Sequence, residues 1–278
     1  MSFATELLDL LDRFVQVAPP PRVKALHLPP AELAGTKQGE FCAVELEDGS
    51  LGLSYVLLGD TLDRLAASPD RFGLVGADAL DAARRYVSGR GVERTLGFAA
   101  ANALSRCFLD RVAYVPDTSG DSIGQLDPRP GDHIGMIGLF TPLIDRVVAA
   151  GAGLTVVELK PELAGEHAGY RVTLDPEELG DCNKVLSTST ILLNDTLERM
   201  LACCSAATTF AMIGPGAGCI PDPIFDRGVT LFGGSWIMDR RGFIDALASG
   251  GSWTAHARKF AISRDRYPGA EALLKRLS

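Results

Sequence analysis

The apolar and polar positions of the chain follow two rhythms, one in each half. In the first half the apolar spacing is mostly helical. "MSFATELLDLLDRFV" places Glu6, Asp9 and Asp12 among apolar residues and predicts an amphipathic opening helix. "RVKALHL" (22–28) and "EFCAVELEDGSLGLSYVLL" (40–58) predict strands, the second a hairpin turning at Asp48-Gly49. Helices are predicted at 61–67, 77–88 and 93–108. The last of these carries Leu96, Ala99, Ala100, Ala103 and Leu104 on one face. Residues 115–132, rich in Pro, Gly, Asp and Ser, predict a linker with one helical turn inside.

Beyond that stretch, short apolar strands alternate with helices. Strands are predicted at 133–138, 154–159, 184–189, 208–213 and 229–236. Helices are predicted at 141–150, 176–181, 194–205 and 239–249, with a turn at 223–227. Strands apolar on both faces, joined by long crossovers, predict a Rossmann-like parallel sheet. The expected fold is α/β: a small α+β domain at 1–114 followed by a Rossmann-like domain at 115–278.

With the common strand order 3-2-1-4-5, ligands bind beyond the strand ends where the order reverses. The first strand ends in "GLFTP" (138–142) and the fourth in "GPGAG" (214–218), so the glycine-rich loop is expected beside that crevice. Gly216 and Gly218 either let a ligand approach the backbone or serve a tight turn. The third strand ends in four hydroxyls, "STST" (187–190), shortly before Asn194, which is expected to cap the next helix. Glu158 ends the second strand, twenty residues after Gly138, where an acid can hold ribose hydroxyls. "GMIGLF" lacks the third glycine of a dinucleotide fingerprint, so an adenosine ligand such as S-adenosylmethionine fits better than a dinucleotide.

Composition narrows the classes. A net charge of −8 with no cluster of Lys or Arg argues against nucleic acid and anionic membranes. No apolar run reaches the roughly 18 residues of a membrane span. The N-terminus has neither a basic start nor a small-residue cleavage site, so a cytoplasmic protein is expected. The six cysteines form no C-x-x-C, and with four scattered histidines build no zinc spacing. They are expected to be reduced, buried thiols. His133 is expected to be structural.

"RTLGFAAANALSR" (94–106), "GDHIGMIGLFTPL" (131–143), "STSTILLNDTLERML" (187–201) and "GPGAGCIPDPIFDRGVTLFGGSWIMD" (214–239) together resemble the successive signatures of the putative heavy-metal-chelation proteins. The resemblance covers nearly the whole chain. It implies an N-terminal domain like the small domain of enolase, a Rossmann-like C-terminal domain, and a ligand site between them. The positions it points to are Asn102, Phe140, Ser189, Thr190, Asn194, Thr196, Gly214 and Pro215. Many members carry a Ser-Thr pair after the Gly-Pro; here Gly216-Ala217 stands instead. The implied ligand is a transition metal or a metal chelate, with Cys219 in the cleft loop as one candidate donor. The alternative from the strand pattern is a nucleoside-dependent enzyme that makes or modifies a chelator. Expected partners are thus a small-molecule or metal ligand and, at most, a second copy of the chain in a homodimer.

Overall fold

The computed structural model describes residues 1–68, 70–120, 123 and 125–277. Helix α1 (Phe3–Val17) starts at Ser2, whose hydroxyl accepts from the Thr5 N–H. Phe3, Leu7, Leu11 and Phe14, at helical spacing, are its buried face. Strands β1 (Val23–His27), β2 (Phe41–Leu46) and β3 (Leu51–Tyr55) form a separate antiparallel sheet in that order. The hairpin turns where expected: Gly49 takes φ +89 and the Asp48 carboxylate accepts from the Ser50 N–H.

Helices α2 (Thr61–Ala67), α3 (Ala79–Ser88) and α4 (Val92–Arg111) follow. Asp78 caps α3 by accepting from the N–H groups of Leu80 and Asp81. α4 is buried around most of its circumference, as a helix without an apolar stripe must be to stay in place. Its alanines let it lie directly on β3.

The second half builds one nine-stranded sheet. Its strands are β4 (Asp117–Thr118), β5 (His133–Ile137), β6 (Gly153–Val157), β7 (Gly165–His167), β8 (Tyr170–Thr173), β9 (Lys184–Thr188), β10 (Thr209–Ile213), β11 (Leu231–Ile237) and β12 (Ala257–Ser263). The spatial order is β4-β12-β11-β10-β9-β5-β6-β8-β7. Strands β8 through β11 across the centre are parallel; β12, β4 and β7 pair antiparallel at the margins. Helices α5 (Thr141–Ala149), α6 (Leu197–Cys203), α7 (Asp222–Phe225), α8 (Arg240–Ala248) and α9 (Ala270–Leu274) complete the α elements. The protein is a mixed α/β fold.

Successive strand residues point to opposite faces, and both faces are covered. Val185 and Met212 join α1, α3 and α4 in one core, while their neighbours Leu186 and Ala211 join Leu143, Ile144 and Val147 of α5 in another. A third cluster packs Phe41, Ala43 and Leu53 of the small sheet against Phe243 and Leu247 of α8. It is reinforced by Glu45, which is 3% exposed and is bound by Lys24 at 2.9 Å, His27 at 2.8 Å and Arg240 at 2.5 Å. Burial pushes that carboxyl up in pKa, but the hydrogen bonds from these three partners outweigh it and hold it low.

Three expectations need correction. Strand β8 was not expected, and with it the parallel strands, counted along the chain, run 3-2-1-4-5-6. The order therefore reverses between β5 and β9, not between β5 and β10. Residues 184–189 are thus the inner strand, and the glycine-rich loop lies one strand further out. Residues 115–132 are not a free linker: β4 pairs with β12, and Ile123 and Leu126 are buried. No described residue of that stretch is helical, while Asp121, Ser122 and Gly124 lie outside the described residues. Asn194 does not cap α6; Thr196 occupies that position. The cause is the short 3-10 turn Ser189–Leu192, which uses up the residues expected to lead straight into the helix.

Candidate functional site

Parallel packing brings the carboxyl ends of β5, β6, β9 and β10 to one edge. Beyond β5 the chain turns at Gly138 (φ +84), whose backbone lies against the Thr188 side chain, and Phe140 opens α5, half-buried. Glu158 follows β6, half-buried; its N–H donates to Thr173 and its carboxylate accepts from the Leu159 N–H. Tyr55, at the end of β3, faces this edge. Its hydroxyl is raised in pKa first by burial, then by the carboxylates of Glu40 and Glu158. Glu40 is itself pushed up by burial, partly offset by Lys37.

Beyond β9, Thr188 accepts from the Thr190 N–H and meets its hydroxyl at 3.1 Å. Ser189 is buried with its hydroxyl aimed at the loop 214–218. A Cβ on Gly214 would stand 2.4 Å from that oxygen, so only glycine fits there. Gly216 is buried too, its carbonyl taken by Asn102; Pro215 is half-buried. The loop thus turns against α4 and Ser189. Asn102 (1% exposed) donates to Leu53 and Gly216, and its carbonyl oxygen has no partner among the described residues. Asn194 and Thr196 bind each other: the Asn194 carbonyl oxygen accepts from the Thr196 hydroxyl at 2.6 Å and from its N–H at 3.3 Å.

The expected residues therefore fall into linked groups. Asn102, Ser189, Gly214 and Gly216 meet at the α4–loop contact; Thr190, Asn194 and Thr196 form the next turn; Phe140 and Glu158 stand at the neighbouring strand ends.

A cavity of about 500 Å³ opens beside the second group. It is lined from one side by residues of α2, α3 and α4 and their connections, and from the other by Leu193, Asn194 and Asp195. Arg90, Arg94 and Thr95 are among its walls. Arg94 donates to the carbonyls of Leu193 and Tyr86, pairs with Asp195 at 2.8 Å and lies over the Tyr86 ring. The Tyr86 hydroxyl in turn donates to the Leu192 carbonyl. A second cavity, of about 360 Å³, lies between the β2–β3 turn and residues 237–240 and contains none of the expected residues. Of those expected, only Asn194 lines either cavity. Sequence reasoning missed Arg90 and Thr95; the sole local signal was "GRG" at 89–91, a helix entry.

The donor chemistry does not fit a bare soft metal ion. All six cysteines are buried and free. Burial pushes Cys42, Cys204 and Cys219 up to about 12 and Cys182 to about 11, and raises Cys107 and Cys203 as well. The histidines are engaged apart: His27 with Glu45, His133 with Thr155, His167 stacked on Tyr170, and His256 with Asp239. Among the described residues no group of three or more His, Cys, Asp or Glu is arranged to hold a metal ion. Nor, among them, is any helix long and apolar enough to cross a membrane.

Comparison with known proteins bears on the whole chain. A solved structure of a protein of unknown function from Desulfitobacterium hafniense superposes with a TM-score of 0.69 at 21% identity, covering 94% of this chain and 99% of that one. A second, from Pyrococcus horikoshii, gives 0.66 at 17% identity, covering 92% and 99%. These likenesses establish the fold. An uncharacterized protein of Methanocaldococcus jannaschii is 28% identical over 152 residues, 53% of this chain; the match spans only 56% of that relative's length. Two family models, both described as "Putative heavy-metal chelation", match residues 39–105 and 121–264. The second alone covers more than half of the chain, and the chain belongs to that putative heavy-metal-chelation family.

Proposed function

We propose that the protein binds a metal chelate, as cargo or substrate, in the cleft between residues 1–114 and 115–278, read as two domains. The observation that carries this reading is the cavity of about 500 Å³ with walls from both halves, opening a few residues beyond the strand end at the switch point. The family description supplies the metal, and the donor set supplies the form in which it arrives. With thiols buried and imidazoles already paired, the metal must come with its own organic ligands. The protein contributes polar contacts and shape. Asn194 reaches the cavity, while Thr190, Ser189, Gly214 and Phe140 are the edge against which a larger ligand extends.

The test is a thermal-shift titration of the full chain with free Ni, Cu, Zn and Fe ions and molybdate, and with citrate complexes of the same metals. A saturable rise in Tm with one or more complexes, exceeding that with the free ions and with metal-free citrate, is expected, because a ligand of the native state raises its apparent stability. No rise with any complex, together with background metal content in purified protein, overturns the reading.

One observation favours a second reading, an enzyme using S-adenosylmethionine or another nucleoside. Glu158 follows β6, next to the Gly138 turn after β5, the place from which an acid reaches ribose hydroxyls in Rossmann domains. Adenosine compounds at millimolar concentration should then stabilise the protein, and Glu158→Gln should remove the effect.

A further inference from the structure

Although the chain carries a net charge of −8, three arginines converge on one end of one helix. Arg90 and Arg94 line the cavity of about 500 Å³. Arg64 approaches from α2, with its guanidinium 3.9 Å from where a Cβ on Gly91 would stand. Arg94 is committed to Asp195 and two carbonyls, and among the described residues Arg64 has only a 4.0 Å contact with Asp60. Arg90 is exposed and has no partner among the described residues. The nearest first-turn acid, Glu93, is drawn to Arg85 at 3.1 Å.

These cations surround the N-terminus of α4, a twenty-residue helix whose N-cap, Gly91, offers no side chain to its first N–H groups. The first four N–H groups of a helix have no partner within it, and they carry the positive end of its dipole. One turn in stands Thr95. It is 1% exposed, it lines the cavity, and its hydroxyl makes no hydrogen bond among the described residues. Since this hydroxyl is not closed off inside the fold, the accessible part of an otherwise buried residue faces the cavity, where it is free to bond a ligand.

We propose that this end of the cavity is an oxyanion subsite that takes a carboxylate or phosphate group of the ligand. Arg90 supplies the free charge and the first turn of α4 supplies N–H donors. The Thr95 hydroxyl supplies the innermost contact, and Arg94, fixed by its own hydrogen bonds, forms the wall. The subsite deepens the metal-chelate reading, since chelators are commonly polycarboxylates or phosphate esters, and it rests on that reading for the identity of the whole ligand.

The test uses the full chain and two probes, inorganic phosphate and metal-free citrate, titrated by calorimetry against chloride at constant ionic strength. Saturable binding of at least one probe is expected, and which probe binds more tightly assigns the group as phosphate or carboxylate. Arg90→Gln, at an exposed site, and the near-isosteric Thr95→Val should each weaken it roughly tenfold, with thermal unfolding confirming that both variants are folded. Absence of saturable binding of both probes to the wild type overturns the subsite, as does wild-type affinity in both folded variants. If metal complexes bind but ignore both substitutions, the subsite fails and the chelate reading stands. If the simple anions bind with the expected sensitivity and no metal complex does, the subsite stands and the chelate reading fails.

Discussion

The amide of Asn102 on α4 donates to the carbonyl of Gly216 at 3.0 Å while also donating to that of Leu53 at 2.8 Å. One buried side chain thus ties the small sheet, the central helix and the loop beyond β10 together. Removing it leaves two carbonyls without their donor in a place with little access to water. Asn102→Ala should cost about 2 kcal/mol of unfolding free energy, read from the urea midpoint at unchanged m-value. A loss below about 0.5 kcal/mol would show that the loop does not depend on this clamp.

β3 meets α4 through Gly52. A Cβ there would lie 2.1 Å from the Ala103 nitrogen and 2.2 Å from the Ala99 carbonyl oxygen, both backbone atoms that cannot step aside singly. Gly52→Ala should therefore cost about 3 kcal/mol or more, or prevent folding. Gly120→Ala, where nothing among the described residues lies within 4 Å of the added atom, is the matched control and should change Tm little. Equal effects at the two sites would contradict the close approach of helix and strand.

Asp132 gives a pH signature. It accepts from Lys184 at 2.7 Å and from Asn183 at 2.9 Å, and these bonds hold its carboxyl down at about 2. A carboxyl lowered in the folded state adds stability above its unfolded value of about 3.9 and loses it as pH falls toward the folded value. Wild type should therefore exceed Asp132→Asn in stability at neutral pH. The gap should close between about pH 4 and pH 2 in acid titrations of the denaturation midpoint. A gap that stays constant over that window would assign the difference to packing.

The thiols should count as six in denaturant without reductant, and should react slowly in the native protein at pH 8. Burial both shields them and keeps them protonated. A fast-reacting native thiol would place at least one cysteine at an open surface. Fewer than six in denaturant would reveal a disulfide.

Local pattern was enough for much of the architecture. The leucines of α1, the Asp48-Gly49 hairpin, the alanine-rich α4 and the apolar strands β5, β6, β9, β10 and β11 all announce themselves through spacing within a few residues. Ser189, Gly214 and Asn102 could be singled out from sequence motifs, although their meeting could not. β8 and β12 escaped notice because Tyr170–Thr173 is short and half-exposed, and Ala257–Ser263 carries Arg258 and Lys259 among its apolar residues. Such strands are stabilised by the neighbours they pair with rather than by their own pattern. Missing β8 moved the switch point by one strand and gave the glycine-rich loop a place that belongs to Thr188 and Ser189. The cavity, too, was decided only by tertiary structure. Of its walls, Thr61, Arg90 and Thr95 lie on different elements, and Asn194 and Asp195 lie about a hundred residues further along the chain. No periodicity records which charges will converge, because their proximity is set by how α4 packs between a hairpin and a sheet that are distant from each other in sequence.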